Sequence, residues 1–267
     1  LRPMDADPKA VALLGCDFPL EPDCDLRDLL AAGSYTLRDI QSCNSYGEYL
    51  HLAEAGTVLS VFPGGTYGAC QTAKRLGRPH HYLPMSFDYE EIAAQQRTLC
   101  AALHLPLPDF DREIADCEAA LAETRAAIGD VPVVIDATVH PRPLGLARLL
   151  LEHGFRVTEV YLDAVSGEET GALSWLRENA PDLPLSSTVL PELRVADRTR
   201  RETTLAIGQK AAWFTDTPHF VNLVQGGGLW GFAGIRTMAR LMQEARETEQ
   251  DTRDLIPRKG LGCVSCI

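Results

Sequence analysis

Short apolar runs alternate along this chain with longer stretches in which apolar residues return every three or four positions. The runs are AVALLG (10–15), TVLSVF (57–62), VPVVIDA (131–137), FRVTEVYL (155–162), TTLAIG (203–208) and HFVNLV (219–224). Their apolarity is continuous and not alternating, which is what strands covered on both faces require, and so predicts parallel sheets. His80 and His81 enter a further strand after GRP. Between the runs lie helices. SFDYEEIAAQQRTLCAAL sets Asp88 and Glu91 at capping-box spacing and places Ile92, Leu99 and Leu103 on one face. DFDREIADCEAALAETRAAI carries Phe110, Ile114, Cys117, Leu121 and Ile128 at four- and three-residue steps, with Thr124 filling one step, and predicts a helix over about 109–128. Ser166 and Glu169 form a second capping box ahead of Leu173 and Leu176.

Strand and helix alternate in two series, which puts the chain in the α/β class with two units. The length of 267 residues allows two domains with proper cores. The long helix divides them: residues 1–129 form one domain, 130–248 the other, and the polar stretch 249–267 a tail ending in Cys263 and Cys266. The expected architecture is a pair of doubly wound α/β domains around a cleft.

One glycine run asks for its own reading. VQGGGLWGFAG contains G-x-G-x-x-G at Gly226, Gly228 and Gly231, after an apolar run and before a helical pattern. A dinucleotide-binding turn needs a second strand after that helix, ending in an acid that holds the ribose. Here only the polar tail follows, so that reading fails on context. Two uses remain: close approach of backbone N–H groups to a ligand or another chain, or tight packing of the last helix.

In parallel sheets, ligands gather beyond the carboxyl ends of the strands. Those ends here are FPGGTYGA (62–69), DATVHPRPLG (136–145), GQK (208–210) and QGGGLWG (225–231). They supply Gly64, Gly65, Thr66, His140, Arg142, Lys210, Gly226, Gly227 and Gly228 as candidate ligand-binding residues. Arg142 stands between two prolines, which suits a positioned guanidinium; its other reading is a surface ion pair. His140 can donate to an anion or bond to backbone, and Lys210 opens a helix, where a cation is mildly unfavourable. No pair of carboxylates lies among these ends, which argues against glycosidase-type acid and base work. No nucleophile elbow or phosphate-binding P-loop is found, and no catalytic residue is named.

Charge and cysteines narrow the partners. The formal balance of 25 Lys+Arg against 37 Asp+Glu gives −12, which disfavours nucleic acid and anionic membrane. No run approaches the roughly 18 apolar residues a membrane span needs, and no secretory signal is visible. The expectation is a cytoplasmic protein with reduced thiols, a processed or truncated product since the chain opens at Leu1. Cys16, Cys24, Cys43, Cys70, Cys100 and Cys117 are read as packing residues. Cys263 and Cys266 form C-x-x-C: half of a zinc or iron–sulfur site completed by another chain, a redox dithiol, or a metal-free tail.

Taken in order, these loops resemble the nitrogenase component 1 family, which includes molybdenum-iron protein subunits, cofactor-assembly scaffold subunits and dark-operative protochlorophyllide reductase subunits. KAVALLG with LRDLLAAG is similar to the family's domain opening, and FPGGTYGACQTAKRLGRPHHYLP to its strand–loop–helix ending in Gly-x-Pro. HPRPLGLARLLLEHGFRVTEVYL resembles its Arg-Pro loop, helix and next strand; AIGQKAAWFTDTPHF with GLWGFAGIRTMARLM resembles its last strand, loop and helix. The resemblance implies Rossmann-like domains, the second and third of three in the family. It further implies an oxidoreductase subunit that works beside a second component 1-like subunit, with electrons from an ATP-dependent iron protein. Arg142 matches the arginine that leans on the family's metal cluster. The family's cysteine ligand falls at Val61 or Phe62 here, and its histidine ligand within VNLVQ, with His219 a few residues early. Neither ligand carries over. An iron–sulfur cluster shared with another chain is the cofactor still open. A non-catalytic scaffold or partner subunit is the alternative, as is a two-lobed tetrapyrrole or nucleotide-sugar binder.

Overall fold

The structure, a computed structural model, describes residues 1–16, 18–195, 203–252 and 254. The chain is α/β, with two parallel sheets flanked by helices. It divides into two compact units: Leu1–Ile114 with Gly227–Ile235, and Ala115–Gly226 with the described residues from Arg236 onward. Both units are thus discontinuous in sequence.

The first unit runs β1 (Asp7–Leu13), α1 (Asp25–Ala32), β2 (Thr36–Asp39), α2 (Tyr46–His51), β3 (Ala55–Ser60), α3 (Thr66–Leu76), β4 (His80–Tyr82) and α4 (Tyr89–Leu103). Its strands pair in parallel in the order β2-β1-β3-β4. Successive strand residues serve opposite faces. Val11, Leu13, Leu59 and Val61 pack with Leu26, Leu30, Leu99 and Trp230, whereas Ala10, Ala12 and Val58 pack with Leu52, Ala69 and Ala73. Both faces are covered, which explains the unbroken apolar runs. The Asp88 carboxylate caps α4 by accepting the Glu91 N–H (3.0 Å), and Ile92, Leu99 and Leu103 are buried as predicted. Strand β2 has no apolar run because it lies at the sheet edge and is half exposed.

Helix α5 (Phe110–Ile128) follows the predicted stripe and buries Cys117, Leu121, Thr124 and Ile128. Thr124 keeps its place in that stripe by donating its hydroxyl to the Ala239 carbonyl and accepting from Gln243. The second unit continues with β5 (Val133–Asp136), α6 (Pro143–Glu152), β6 (Val157–Tyr161), α7 (Thr170–Asn179), β7 (Leu185–Ser186), α8 (Glu192–Val195), β8 (Leu205–Ile207), α9 (Gln209–Thr215), β9 (Phe220–Val221) and α10 (Gly231–Glu247). All its strands are parallel, in the order β7-β6-β5-β8-β9.

One local expectation is corrected. Ser166 makes no side-chain cap, and Glu169 is buried under the first turn of a different helix, α6. The polar stretch after α10 is anchored where it is described: Gln250 N–H donates to the Pro218 carbonyl (2.8 Å) and the Thr252 hydroxyl to the Thr217 carbonyl (2.6 Å).

Candidate functional site

The strand-end loops of the second unit begin with Asp136, the last residue of β5. It is fully buried, and burial pushes its carboxyl up. Oδ1 accepts the Thr138 N–H (2.7 Å) and hydroxyl; Oδ2 accepts the Ala211 N–H (2.6 Å) in the first turn of α9. Gly208 precedes that helix at φ +112°, and a Cβ there would lie 2.8 Å from Asp136 Oδ1. The glycine is what admits the acid.

The same device recurs at α6. Pro143 opens the helix, and the next two N–H groups, of Leu144 and Gly145, both donate to Glu169 Oε1 (2.7 and 3.0 Å). First-turn amides have no partner inside their own helix, and a carboxylate there also meets the positive end of the helix dipole. Arg142, the cap residue, is buried; its guanidinium donates to Glu168 Oε2 through Nε (3.3 Å) and a terminal nitrogen (3.0 Å). Two carboxylates thus stand beside this loop, Glu168 and Glu169, supplied by the segment before α7, outside the four strand ends read from the sequence. His140 is buried as well, and its Nδ1 accepts the Arg142 N–H (3.0 Å). Burial and the Arg142 charge push its pKa down to about 3, so the ring is neutral and turned inward. The Thr138 and Val139 carbonyls accept the N–H groups of Gln225 and Gly226 (2.8 and 2.7 Å), which brings the start of the glycine run beside this loop.

In the first unit, α10 starts in the same way. Asp25 accepts the N–H groups of Phe232 (2.7 Å) and Ala233 (3.1 Å), with the Gln96 amide (2.7 Å) as a third donor. Gly231 has φ +76°, and a Cβ there would stand 2.8 Å from the Asp25 Cγ. Gly228, at φ +82°, lies against backbone: a Cβ would be 2.9 Å from Glu21 N and 3.0 Å from Leu20 Cα. Gly227 shares the positive φ, at +51°. Trp230 is core, its indole N–H donating to the Leu83 carbonyl (3.0 Å). Close packing thus accounts for Gly228 and Gly231. Gly65 packs on the backbone of Gly15, Gly64 is exposed, and the Thr66 hydroxyl donates to the Phe62 carbonyl (3.2 Å).

Lys210 donates to the Thr188 hydroxyl (2.8 Å) and faces Asp163 across 3.9 Å. Both charged side chains are more than a third exposed, where such pairs contribute about 0–1 kcal/mol. Lys210→Ala is accordingly expected to move the denaturation midpoint by less than about 1 kcal/mol in stability. A larger loss in a urea titration would mean that Lys210 has a structural part these contacts omit.

No helix among the described residues is long and apolar enough to cross a membrane. Cys16, Cys24, Cys100 and Cys117 are buried, the first three in the core of the first sheet. Cys263 and Cys266 lie outside the described residues.

Against known proteins, no family model and no curated protein sequence matches the chain. Solved structures do. Nitrogenase Cp1 superposes with a TM-score of 0.57 at 12% identity over 97% of this chain. The chain shares that fold. It spans 63% of the length of the nitrogenase chain. A periplasmic heme-binding protein in complex with two hemes also matches, with a TM-score of 0.42 at 16% identity over 90% of this chain and all of that one.

The nitrogenase resemblance implies a metal cluster, and the residues at its ligand positions do not fit one. Val61 has no donor atom and is fully buried in the core beside Leu59. Phe62 has none either. His219 donates Nδ1–H to the Ala245 carbonyl (3.1 Å). Among the described residues no three His, Cys, Asp or Glu side chains form a metal-binding group. No sequence signal marked Asp25, Asp136 or Glu169 as the residues that organise the helix starts. The usable hint was a glycine at a helix start, Gly208 directly before α9 and Gly231 as the first residue of α10.

Proposed function

We propose that this chain is a nitrogenase component 1-like subunit of a reductive complex, one that contributes scaffold and docking surface and leaves the iron ligands to other chains. The observation that carries this reading is Val61, buried in the core where the resemblance puts the cysteine thiolate. Thiolate and imidazole bind iron through lone pairs, and valine offers none. The Arg142 guanidinium supports the same reading, since it is directed at Glu168. Electrons would come from an ATP-dependent iron protein, and the reducing centre would lie in, or be shared with, a second component 1-like subunit. Cys263 and Cys266 are the residues of this chain open to such sharing.

Anaerobic purification of the chain alone tests the reading. The expected product is colourless, without stoichiometric iron or sulfide, and gains both only when co-purified with a second subunit. Stoichiometric iron and sulfide in the isolated chain, unchanged in a Cys263→Ser/Cys266→Ser variant, would overturn it. So would a thermal upshift with a tetrapyrrole and no subunit bound, which would favour a binding protein.

A further inference from the structure

We propose that residues 249–252 guard the outer edge of β9, and that without them this edge adds a strand from a second copy of the chain. In a parallel sheet the carbonyls along one strand alternate between its two sides. The His219 and Val221 carbonyls turn inward and accept the N–H groups of Ala206 and Gly208, from β8 and its tip (3.0 and 3.2 Å). The Pro218 and Phe220 carbonyls therefore face outward. Gln250 takes both, the first on its backbone N–H (2.8 Å) and the second on its side-chain amide (2.9 Å). Two residues on, the hydroxyl of the buried Thr252 donates to the Thr217 carbonyl (2.6 Å), and the Thr217 hydroxyl in turn donates to the Thr204 carbonyl. The chain leaves α10 at Glu247 and runs back along β9, in the place a further strand would occupy.

The residues of β9 explain the need. Strand edges carry unpaired N–H and C=O groups, and charge, proline or a covering segment keeps other chains from pairing with them. At the other edges, β2 carries Arg38 and Asp39, β4 follows Arg78 and Pro79, and β7 lies among Pro181, Pro184 and Pro191. After Pro218 the run through β9, HFVNLV, has no Asp, Glu, Lys, Arg or Pro from 219 through 224. Six residues of high strand propensity and low charge form the pattern that pairs with identical segments, which makes a second copy the partner. The guard also changes the charge of this edge. Glu249 and Asp251 are exposed along it, so two guarded edges meet carboxylate to carboxylate.

Sedimentation of the full chain tests the guard. Gln250→Pro/Thr252→Val removes the backbone N–H, the side-chain amide and the hydroxyl that hold the edge. The mass of this variant is expected to rise with concentration to about twice that of the wild type or beyond, with native circular dichroism retained. A peptide of residues 218–224 is expected to bind the variant and not the wild type. A variant mass equal to that of the wild type at every concentration would overturn the proposal, as would equal binding of the peptide to both. Should the double variant unfold, Gln250→Ala/Thr252→Val, which spares the backbone N–H, and hydrogen exchange of the wild type decide. Association of that milder variant together with a protected Gln250 amide in the wild type supports the guard. An unchanged mass, or a Gln250 amide that exchanges as in an unfolded chain, overturns it.

Discussion

Gly228→Ala is expected to cost about 4 kcal/mol, a large part of the roughly 5–15 kcal/mol that holds a domain of this kind together. Two terms add. A side chain at φ +82° carries the left-handed penalty of about 1–2 kcal/mol. The new Cβ would then press on the Leu20 and Glu21 backbone, where overpacking costs about 1–3 kcal/mol. Neither neighbour can swing aside as a flexible side chain would, and the Glu21 N–H already donates to the Gly228 carbonyl (3.1 Å). Gly68→Ala is the control with the opposite sign. It lies inside α3 with nothing within 4 Å of a Cβ, so helix propensity stabilises it by about 0.5–1 kcal/mol. Urea denaturation of both variants is the measurement. Wild-type stability in Gly228→Ala would mean that the glycine run is not held there by packing.

Asp136→Ala is expected to cost about 3–5 kcal/mol, because it takes their acceptor from the buried Ala211 N–H and from the half-buried Thr138 N–H and hydroxyl. Asp136→Asn is expected to be nearly as damaging. Both oxygens of Asp136 accept, so an amide of the same shape turns an N–H₂ toward a backbone N–H in one orientation or the other. Glu169→Gln, by contrast, keeps the single accepting oxygen that its two amides need. Thermal denaturation of the three variants separates these cases. Asp136→Asn matching the wild type would show that the buried acid is not the organiser of the α9 start.

These three acids explain why glycine and helix starts coincide in this chain. A helix N-terminus facing strand-end loops attracts negative charge. At α6, α9 and α10 the acceptor comes from within, a carboxyl oxygen of Glu169, Asp136 or Asp25. The loops that read as a cationic rim are consequently neutralised by the chain's own side chains. Arg142 faces Glu168 and Lys210 faces Asp163. For a guest to reach either cation it would have to displace a carboxylate.

Much of the architecture was legible because it rests on local periodicity. The apolar runs became β1, β3, β5, β6, β8 and β9, and the Asp88–Glu91 box became the start of α4. The polar Thr124 held its register in α5 because the stripe placed it, whatever its chemistry. Ser166–Glu169 had the same local signature as Asp88–Glu91, yet Glu169 found better donors in another helix. Spacing cannot distinguish these outcomes, since both satisfy the same rule nearby in sequence and only one satisfies it in space. The edge strands β2 and β7 were silent for a related reason: half exposed, they need no apolar run.

Local residue pattern is enough for the α/β class, the parallel sheets, the helices with their buried faces, and the absence of donor atoms at Val61 and Phe62. Those follow from which residues are apolar and how often they recur, and they need no knowledge of distant neighbours. What the loops do depends instead on contacts between distant parts of the chain. The tertiary structure turns His140 inward, sets Glu168 on Arg142, and brings Asp25 to a helix that starts more than two hundred residues later. A buried N–H must find an acceptor, and which one it finds is settled by the packing of whole elements rather than by the order of residues along the chain.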